Sequence, residues 1–344
     1  MTDSSNSRSP AFATGRYGHA IALVIAVLVP VLAKDFFVFQ ATQLMVYAIA
    51  IIGLNILVGI NGQLSLGHGA FYALGAYTVA ILMDGYGMPY GWALPVAALI
   101  TFVAGFAFGL PALRLEGIYL ALATFTLAIA LPQILKLSVL DPWTGGVQGI
   151  SITKPEAPAF LPLNADQWLY ALTLAITCLV YWLARNLIGS RTGRALTAVK
   201  DNALAARTMG INVALYKTLA FSVSACFTGI AGALSAIVVQ YVSPDSFSFY
   251  LSVAILVGLV VGGVGWLPGA FLGAAFILFV PNIAEGVSKG LSGAVYGVLL
   301  IALIVLRPGG SVGFGAAWRG LLSRTGRTTR QVSLSLSQEK ETGS

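Results

Sequence analysis

Long runs without a single charged residue dominate this chain and limit the folds open to it. The runs are 17–33, 36–83, 85–113, 117–135, 167–184, 218–244, 246–284 and 290–306. A helix needs about 20 apolar residues to cross the roughly 30 Å hydrocarbon core of a bilayer. The runs 36–83 and 246–284 are each long enough for two crossings, and the others for one. The pattern predicts an all-α polytopic membrane protein of about ten transmembrane helices.

Glycine-rich breaks divide the two long runs. They lie at 59–62 and at 262–269, where glycine, asparagine and proline make a helix unfavourable. With the amino terminus in the cytosol, ten spans place 15 of the 19 basic residues inside, against 5 of the 12 acidic ones. This asymmetry is typical of membrane proteins, whose cytosolic loops are rich in Lys and Arg. It predicts that both termini are cytosolic.

This topology predicts three parts. Residues 1–16 form a disordered cytosolic tail, 17–307 a transmembrane domain with a cytosolic segment at 189–216, and 308–344 a largely disordered cytosolic tail. Both tails are rich in polar residues and bury too little apolar surface to fold. Because topology and a lipid bilayer account for the basic residues, we expect no nucleic-acid partner.

Composition and motifs argue against a soluble domain and against an enzyme. Only 9% of the residues are charged and 58% are hydrophobic, whereas soluble domains carry about a quarter charged residues. The sequence contains no G-x-x-x-x-G-K-[ST], H-E-x-x-H or G-x-S-x-G motif. Its two histidines and two cysteines form no ligand pattern, so we expect no metal, no cofactor and no catalytic residues.

The inside segment 189–216 is the main candidate for a partner-binding element. Six basic residues lie between Arg185 and Lys217, against the single acid Asp201. Two local structures are open. One is a single helix with an apolar face at i, i+3, i+7 and i+10, formed by Leu196, Val199, Ala203 and Ala206. The other is a second helix capped by Asn202, running to Met209 and closed by Gly210.

Either helix is short and small enough to fit a groove on a cytosolic partner. The alternative is an interfacial loop whose basic residues meet anionic lipid headgroups. The residues that we predict to dock are Asp201, Asn202, Ala205, Ala206 and Gly210.

Two further segments are candidates for a translocation pathway. In 59–77, polar side chains lie among glycines where one span ends and the next begins; they are Asn61, Gln63, Ser65 and His68. Unwound backbone at membrane depth is tolerated where it lines a cavity or is buried in protein. The alternative is a plain turn at the membrane interface. On the outside, Thr144, Gly145 and Gly146 begin a glycine-rich loop. This loop forms part of an outer gate, a surface on which a partner lands, or a simple tight loop.

Ionisable residues are absent from the middle of every predicted span. Such residues ordinarily indicate ion coupling, so their absence disfavours a proton- or sodium-driven carrier. A stand-alone channel or an ion-driven secondary carrier remains the alternative to a transporter driven by a separate subunit.

Four stretches carry a resemblance to a known family. They are GLNILVGINGQLSLGHGAFYALGAY (53–77), TGGVQGI (144–150), RTGRALTAVKDNALAARTMGINVALYKTLAFSVSACFTGIAGALSA (191–236) and VGGVGWLPGAFLGA (261–274). In this order they resemble the inner-membrane permeases of branched-chain amino-acid ABC importers, in particular the LivM-like branch.

The resemblance implies a multi-pass permease of the bacterial inner membrane. Its expected partners are two cytosolic ABC ATPases, a second, LivH-like permease and a periplasmic substrate-binding protein. Ala205, Ala206 and Gly210 match the loop that docks into the ATPase in this family. Importer permeases more broadly carry Glu where this chain has Leu204, so we expect docking through shape and apolar contact. The implied solutes are branched-chain amino acids or, as in other members, urea, short amides or aromatic acids.

Overall fold

The computed structural model describes residues 34–115, 117–155, 157 and 164–287, together with positions 30 and 297. The two predicted tails lie outside the described residues. So do the predicted first and last spans, apart from those two positions. The predicted count of ten transmembrane helices therefore remains a prediction.

Helices account for most of the described residues. Helix α1 (Asp35–Leu54) continues into a π-helical turn, Asn55–Ile60; α2 (His68–Ala80) continues into a second, Ile81–Gly85; α3 is Tyr90–Ala112, α4 Ile118–Leu135 and α5 Asp141–Thr144. After strand β1 (Ile150–Ser151) come α6 (Ala165–Gly189), α7 (Arg191–Asp201), α8 (Ala203–Thr208) and α9 (Val213–Val239). Strand β2 (Tyr241–Val242) and a 3-10 turn, Pro244–Phe247, precede α10 (Phe249–Gly262) and α11 (Gly269–Val287).

Five of the described helices are long and apolar enough to cross a membrane. They are Asp35–Ile60, Tyr90–Ala112, Ile118–Leu135, Ala165–Gly189 and Val213–Val239. Two shorter apolar helices, Phe249–Gly262 and Gly269–Ile283, divide the second long run at the predicted break. The all-α, polytopic class predicted from the sequence is confirmed.

Glycines bring the central helices into backbone contact. A methyl group added at Gly232 of α9 would overlap the carbonyl of Tyr72 in α2, and one at Gly75 would overlap the backbone of Gly229. Helices α10 and α11 meet in the same way through the reciprocal pairs Gly262–Gly269 and Gly258–Gly273. Close approach through small residues is how membrane helices associate where lipid removes the hydrophobic driving force. The high glycine content therefore serves packing.

Helices α1, α2 and α9 form the centre of the bundle. Almost every residue of α2 is buried, and α2 packs against α9, α3, α4 and α10. Several buried hydroxyls in and around this centre are satisfied within their own helix: Thr101 donates to the carbonyl of Ala97, Ser222 to Thr218, and Thr228 to Ser224. Such back-bonding removes the cost of burying a polar group in an apolar interior.

Charge separates the two ends of the bundle. We call the end that contains 59–62, 189–216 and 263–268 the coupling end, and the end that contains 136–157 and 240–248 the opposite end. Every described arginine lies at the coupling end, and among the described acidic residues only Asp201 lies there. At the opposite end, Lys136 pairs with Asp245 and Lys154 with Asp166, each at 2.5 Å.

A two-stranded ribbon closes the opposite end. Ile150 pairs with Val242 and Ser151 with Tyr241 in antiparallel register. The sequence analysis did not predict these strands, because each is two residues long and its partner lies some ninety positions away. The ribbon anchors the glycine-rich loop to the end of α9.

Candidate functional site

The break between α1 and α2 lies inside the helix bundle. The amides of Asn61 and Gln63 still bond to the carbonyls of Ile56 and Leu57, after which the backbone has no regular structure until α2 begins at His68. There, the amide of Leu66 bonds to Thr124 Oγ1 of α4 at 2.9 Å. His68 Nε2 lies 2.7 Å from Ser224 Oγ, near the middle of α9. The chain therefore returns into the bundle between Asn61 and Gly67, and we call residues 61–67 the re-entrant segment.

Side chains of the re-entrant segment alternate between the interior and the surface. Asn61, Gln63 and Ser65 are buried, whereas Gly62 and Leu64 are exposed. The polar residues that the sequence analysis singled out thus share one inward-facing side.

Two amide side chains on this inward side have polar atoms without a hydrogen-bond partner among the described residues. Asn61 is 3% exposed and Gln63 is 8% exposed. Neither Asn61 Nδ2, Asn61 Oδ1 nor Gln63 Oε1 has a partner among the described residues. Buried polar atoms in native proteins are nearly always bonded, to protein or to ordered water. These atoms can therefore bind water or a polar solute inside the bundle.

Ser65 and His68, by contrast, are bonded within the protein. Ser224 donates its single hydroxyl proton to the Gly53 carbonyl at 2.6 Å, so it accepts from His68 Nε2–H at 2.7 Å. His68 Nδ1 then accepts from Ser65 Oγ, which lies 3.1 Å away. A neutral imidazole with its proton on Nε2 satisfies every member of this chain. These hydrogen bonds join α1, α2 and α9 at the break between α1 and α2.

Removing the hydroxyl of Ser224 should destabilise the protein by about 2 kcal/mol, because the His68 N–H and the Gly53 carbonyl both lose their partner in the interior. Denaturant titration of Ser224→Ala in detergent micelles measures the change. The control is Thr126→Val, which removes an exposed hydroxyl from α4 and should change stability by less than about 0.5 kcal/mol. Equal stability of Ser224→Ala and the unsubstituted protein would contradict the assigned role.

Asn55 is a site residue that the sequence analysis missed. Its Oδ1 accepts from the amide of Gly265 at 2.8 Å, and its Nδ2 donates to the carbonyl of Trp266 at 3.2 Å. Its side chain therefore fastens the turn between α10 and α11 to the end of α1. Its position within an apolar run carried no local signal, since both bonds reach more than 200 residues along the chain.

The glycine-rich loop 144–150 lies at the opposite end of the bundle, away from the start of the re-entrant segment. Thr144 is buried, and its hydroxyl donates to the carbonyls of Leu135 and Leu140 at 3.0 Å. Gly145 and Gly146 have φ of +67° and +54°, a region that favours glycine. The structure thus does not bring Thr144, Gly145 and Gly146 together with Asn61 and Gln63.

The inside segment forms two helices rather than one. Helix α7 ends at Asp201, and Asn202 caps α8 by accepting from the amide of Ala205 at 3.0 Å. Gly210 follows with φ of +83°. The second of the two predicted structures is therefore confirmed. Serine and asparagine also cap α7 and α9, through Ser190 and Asn212.

Residues of the predicted docking element differ in exposure. Ala206 is buried against Val199 and Val213 and holds α8 onto its neighbours. Asp201, Asn202, Ala205 and Gly210 are exposed. So are Leu204 and Met209, at 73% and 83%; the sequence analysis did not count these two as docking residues. Leu204 lies on this short, capped helix and Met209 directly follows it. Two large apolar side chains exposed at a strongly basic end make a surface suited to a partner protein.

A bundle of apolar helices with an interior break and an exposed helical element at one end defines a multi-pass membrane transport subunit. The family described as "Branched-chain amino acid transport system / permease component" matches residues 36–304, and the chain belongs to that family. No solved structure matches the chain.

Curated relatives agree with this assignment. The chain is 34% identical over 313 residues to the "High-affinity branched-chain amino acid transport system permease protein LivM" of Salmonella typhimurium, and equally to that of Escherichia coli; each match covers 84% of this chain and 72% of the relative. It is 28% identical over 205 residues to the "Autoinducer 2 import system permease protein LsrC" of Salmonella paratyphi B, covering 56% of each.

The chain is thus a permease subunit of an ABC importer and a multi-pass inner-membrane protein. As a transport subunit it works with ATPase and binding-protein components.

Proposed function

We propose that this permease imports branched-chain amino acids in a complex with a second, LivH-like permease, two cytosolic ATPases and a periplasmic binding protein. The LivM relatives, which match most of the chain, support this solute class. The LsrC relatives belong to an autoinducer-2 system, so the family carries more than one kind of solute. Urea, short amides and aromatic acids are the other solutes to be compared.

The observation that carries the proposal is α8 with its exposed apolar residues. In our proposal this helix, with Asp201, Asn202, Ala205, Ala206 and Gly210, docks into the ATPase. The coupling end then faces the cytosol, as do both termini. This orientation agrees with the concentration of the described arginines at that end. The permease domain comprises 17–307, and 1–16 and 308–344 are cytosolic tails.

The re-entrant segment is the proposed inner part of the translocation pathway. Asn61 offers both atoms of its amide group and Gln63 its Oε1, none of which has a partner among the described residues, and these atoms can bond transiently to water or to a polar solute. Ser65 and His68 hold the segment in place through Ser224. Thr144, Gly145 and Gly146 lie near the proposed outer mouth. Neutral amides bind weakly, so solute selection would rest mostly with the binding protein.

Reconstitution into liposomes tests the proposed function. We expect uptake of radiolabelled L-leucine only when the permease pair, the ATPases, the binding protein and ATP are all present. Urea, acetamide and benzoate, supplied with the same components, should not accumulate. Leucine flux through the permease without ATPases would instead support a stand-alone channel or secondary carrier.

A further inference from the structure

Lys200 connects the coupling segment directly to the break between α1 and α2. It lies one residue before the end of α7, and its Nζ donates to the carbonyl of Gly59 at 2.7 Å. The stem of the same side chain covers Gly62, where an added Cβ would lie 2.9 Å from Lys200 Cγ. One side chain therefore contacts the last turn of α1 and the start of the re-entrant segment.

The bond to Gly59 completes the end of α1. The last carbonyls of a helix have no partner within it, and here those of Ile56 and Leu57 are taken by the amides of Asn61 and Gln63. The ammonium group of Lys200 takes the carbonyl of Gly59. A cation at a helix carboxyl end is also favoured by the helix dipole, and a charged donor makes a stronger bond than a neutral one.

A second contact joins α7 to the end of α1. Leu196, one turn before Lys200 on α7, packs in a buried cluster with Leu57 at the end of α1 and Phe71 in the first turn of α2. Helix α7 therefore meets the end of α1 in two ways, through apolar packing at Leu196 and a polar contact at Lys200. A displacement of α7 must move the start of this segment while the polar contact persists.

We propose that Lys200 is a positioning residue that transmits movement of the ATPase-docked helices α7 and α8 to the re-entrant segment, an inference that rests on the proposed function. Without the ammonium group, the ATPase would still dock, because Lys200 is not one of the proposed docking residues and its Nζ is bonded to the Gly59 carbonyl. Nucleotide-driven movement of α7 would reach Asn61 and Gln63 less completely. ATP hydrolysis would then continue with less solute moved per ATP.

The test compares Lys200→Met, which keeps most of the aliphatic stem, with Lys200→Arg, which keeps a cationic donor. The matched control is Arg191→Met: Arg191 is exposed on the same helix, and its side chain has no hydrogen bond among the described residues. Each variant is reconstituted in the complete transporter, and ATP hydrolysis and L-leucine uptake are measured on the same liposomes.

We expect Lys200→Met to lower leucine taken up per ATP hydrolysed at least fivefold, with normal co-purification of the ATPases. Lys200→Arg should recover most of this ratio, and Arg191→Met should leave it unchanged. A residue that only stabilises the end of α1 would reduce the amount of active transporter, so that uptake and hydrolysis fall together. An unchanged ratio in Lys200→Met would overturn the proposal.

A distance measurement tests Lys200 independently of the transported solute. Spin labels are placed at Leu64→Cys and Thr208→Cys, both exposed, after replacement of the free cysteines Cys178 and Cys226 by alanine. With Lys200 present, we expect the label distance to be the same with and without trapped ATP, because the two segments move together. In Lys200→Met it should shift on ATP trapping, and no shift would refute the link. Absence of leucine uptake by the unsubstituted transporter would refute only the proposed function.

Discussion

Adding one methyl group at Gly232 should destabilise the bundle by about 3 kcal/mol, the upper part of the range for overpacking. The new Cβ would overlap the carbonyl of Tyr72, and both partners are backbone on buried helices. Neither α2 nor α9 can move away, since Gly75 and Gly229 bring them together one turn away. Denaturant titration of Gly232→Ala in detergent micelles measures the loss.

The control for this prediction is Gly91→Ala. Gly91 lies in the first turn of α3, is exposed, and an added Cβ there would have no atom within 4 Å. Alanine in place of a helical glycine stabilises by roughly 0.5–1 kcal/mol where space allows. We therefore expect the free energy of unfolding to fall in Gly232→Ala and to rise in Gly91→Ala. An unchanged free energy of unfolding in Gly232→Ala would show that the two helices can separate at little cost.

Replacing Leu204 by arginine should prevent the ATPases from binding while leaving the permease folded. Leu204 is 73% exposed, so the substitution removes no internal contact. Loss of a hot-spot residue at the centre of a protein interface costs about 2 kcal/mol or more, which corresponds to a roughly 30-fold weaker complex. Co-purification of the ATPases with the permease pair, followed by leucine uptake, measures the effect.

Leu137→Arg provides the matched control, because Leu137 is an exposed leucine at the opposite end. It should leave ATPase binding unchanged. Leu204→Glu tests whether docking depends on apolar contact at this position. If this variant binds the ATPases as tightly as the unsubstituted permease does, apolar contact at this position is not needed. Full binding by Leu204→Arg would place the docking surface elsewhere.

Much of the fold could be predicted because its signals are local. The break at 262–269 lies between α10 and α11 as predicted, since glycine and proline disfavour helix wherever they cluster. Asn202 caps the start of α8 and Gly210 follows its end, each through bonds to residues three or four positions away. Capping of this kind depends on the neighbouring residues alone, so the sequence is sufficient to recognise it.

The candidate site was predicted only in part. The sequence analysis placed the end of α1 near Gly59, but it did not determine how far residues 61–67 return into the bundle. That depth depends on Thr124, Ser224 and Ser252, which bond to Leu66, His68 and Gly69 from three other helices. Lys200 was considered only as one of the basic residues, because its bond to Gly59 spans 141 positions.

The amino-acid sequence by itself determined the membrane class, the positions of the helix breaks and the basic character of one end. These properties follow from apolar run length, from glycine and proline, and from the distribution of arginine, all of which act locally or by composition. Tertiary structure alone decided which polar side chains are bonded and which lack partners. It also decided that Lys200 bonds to the end of α1 and that Asn55 bonds to the turn between α10 and α11. Those contacts depend on which helices pack together, and packing joins residues that are far apart along the chain.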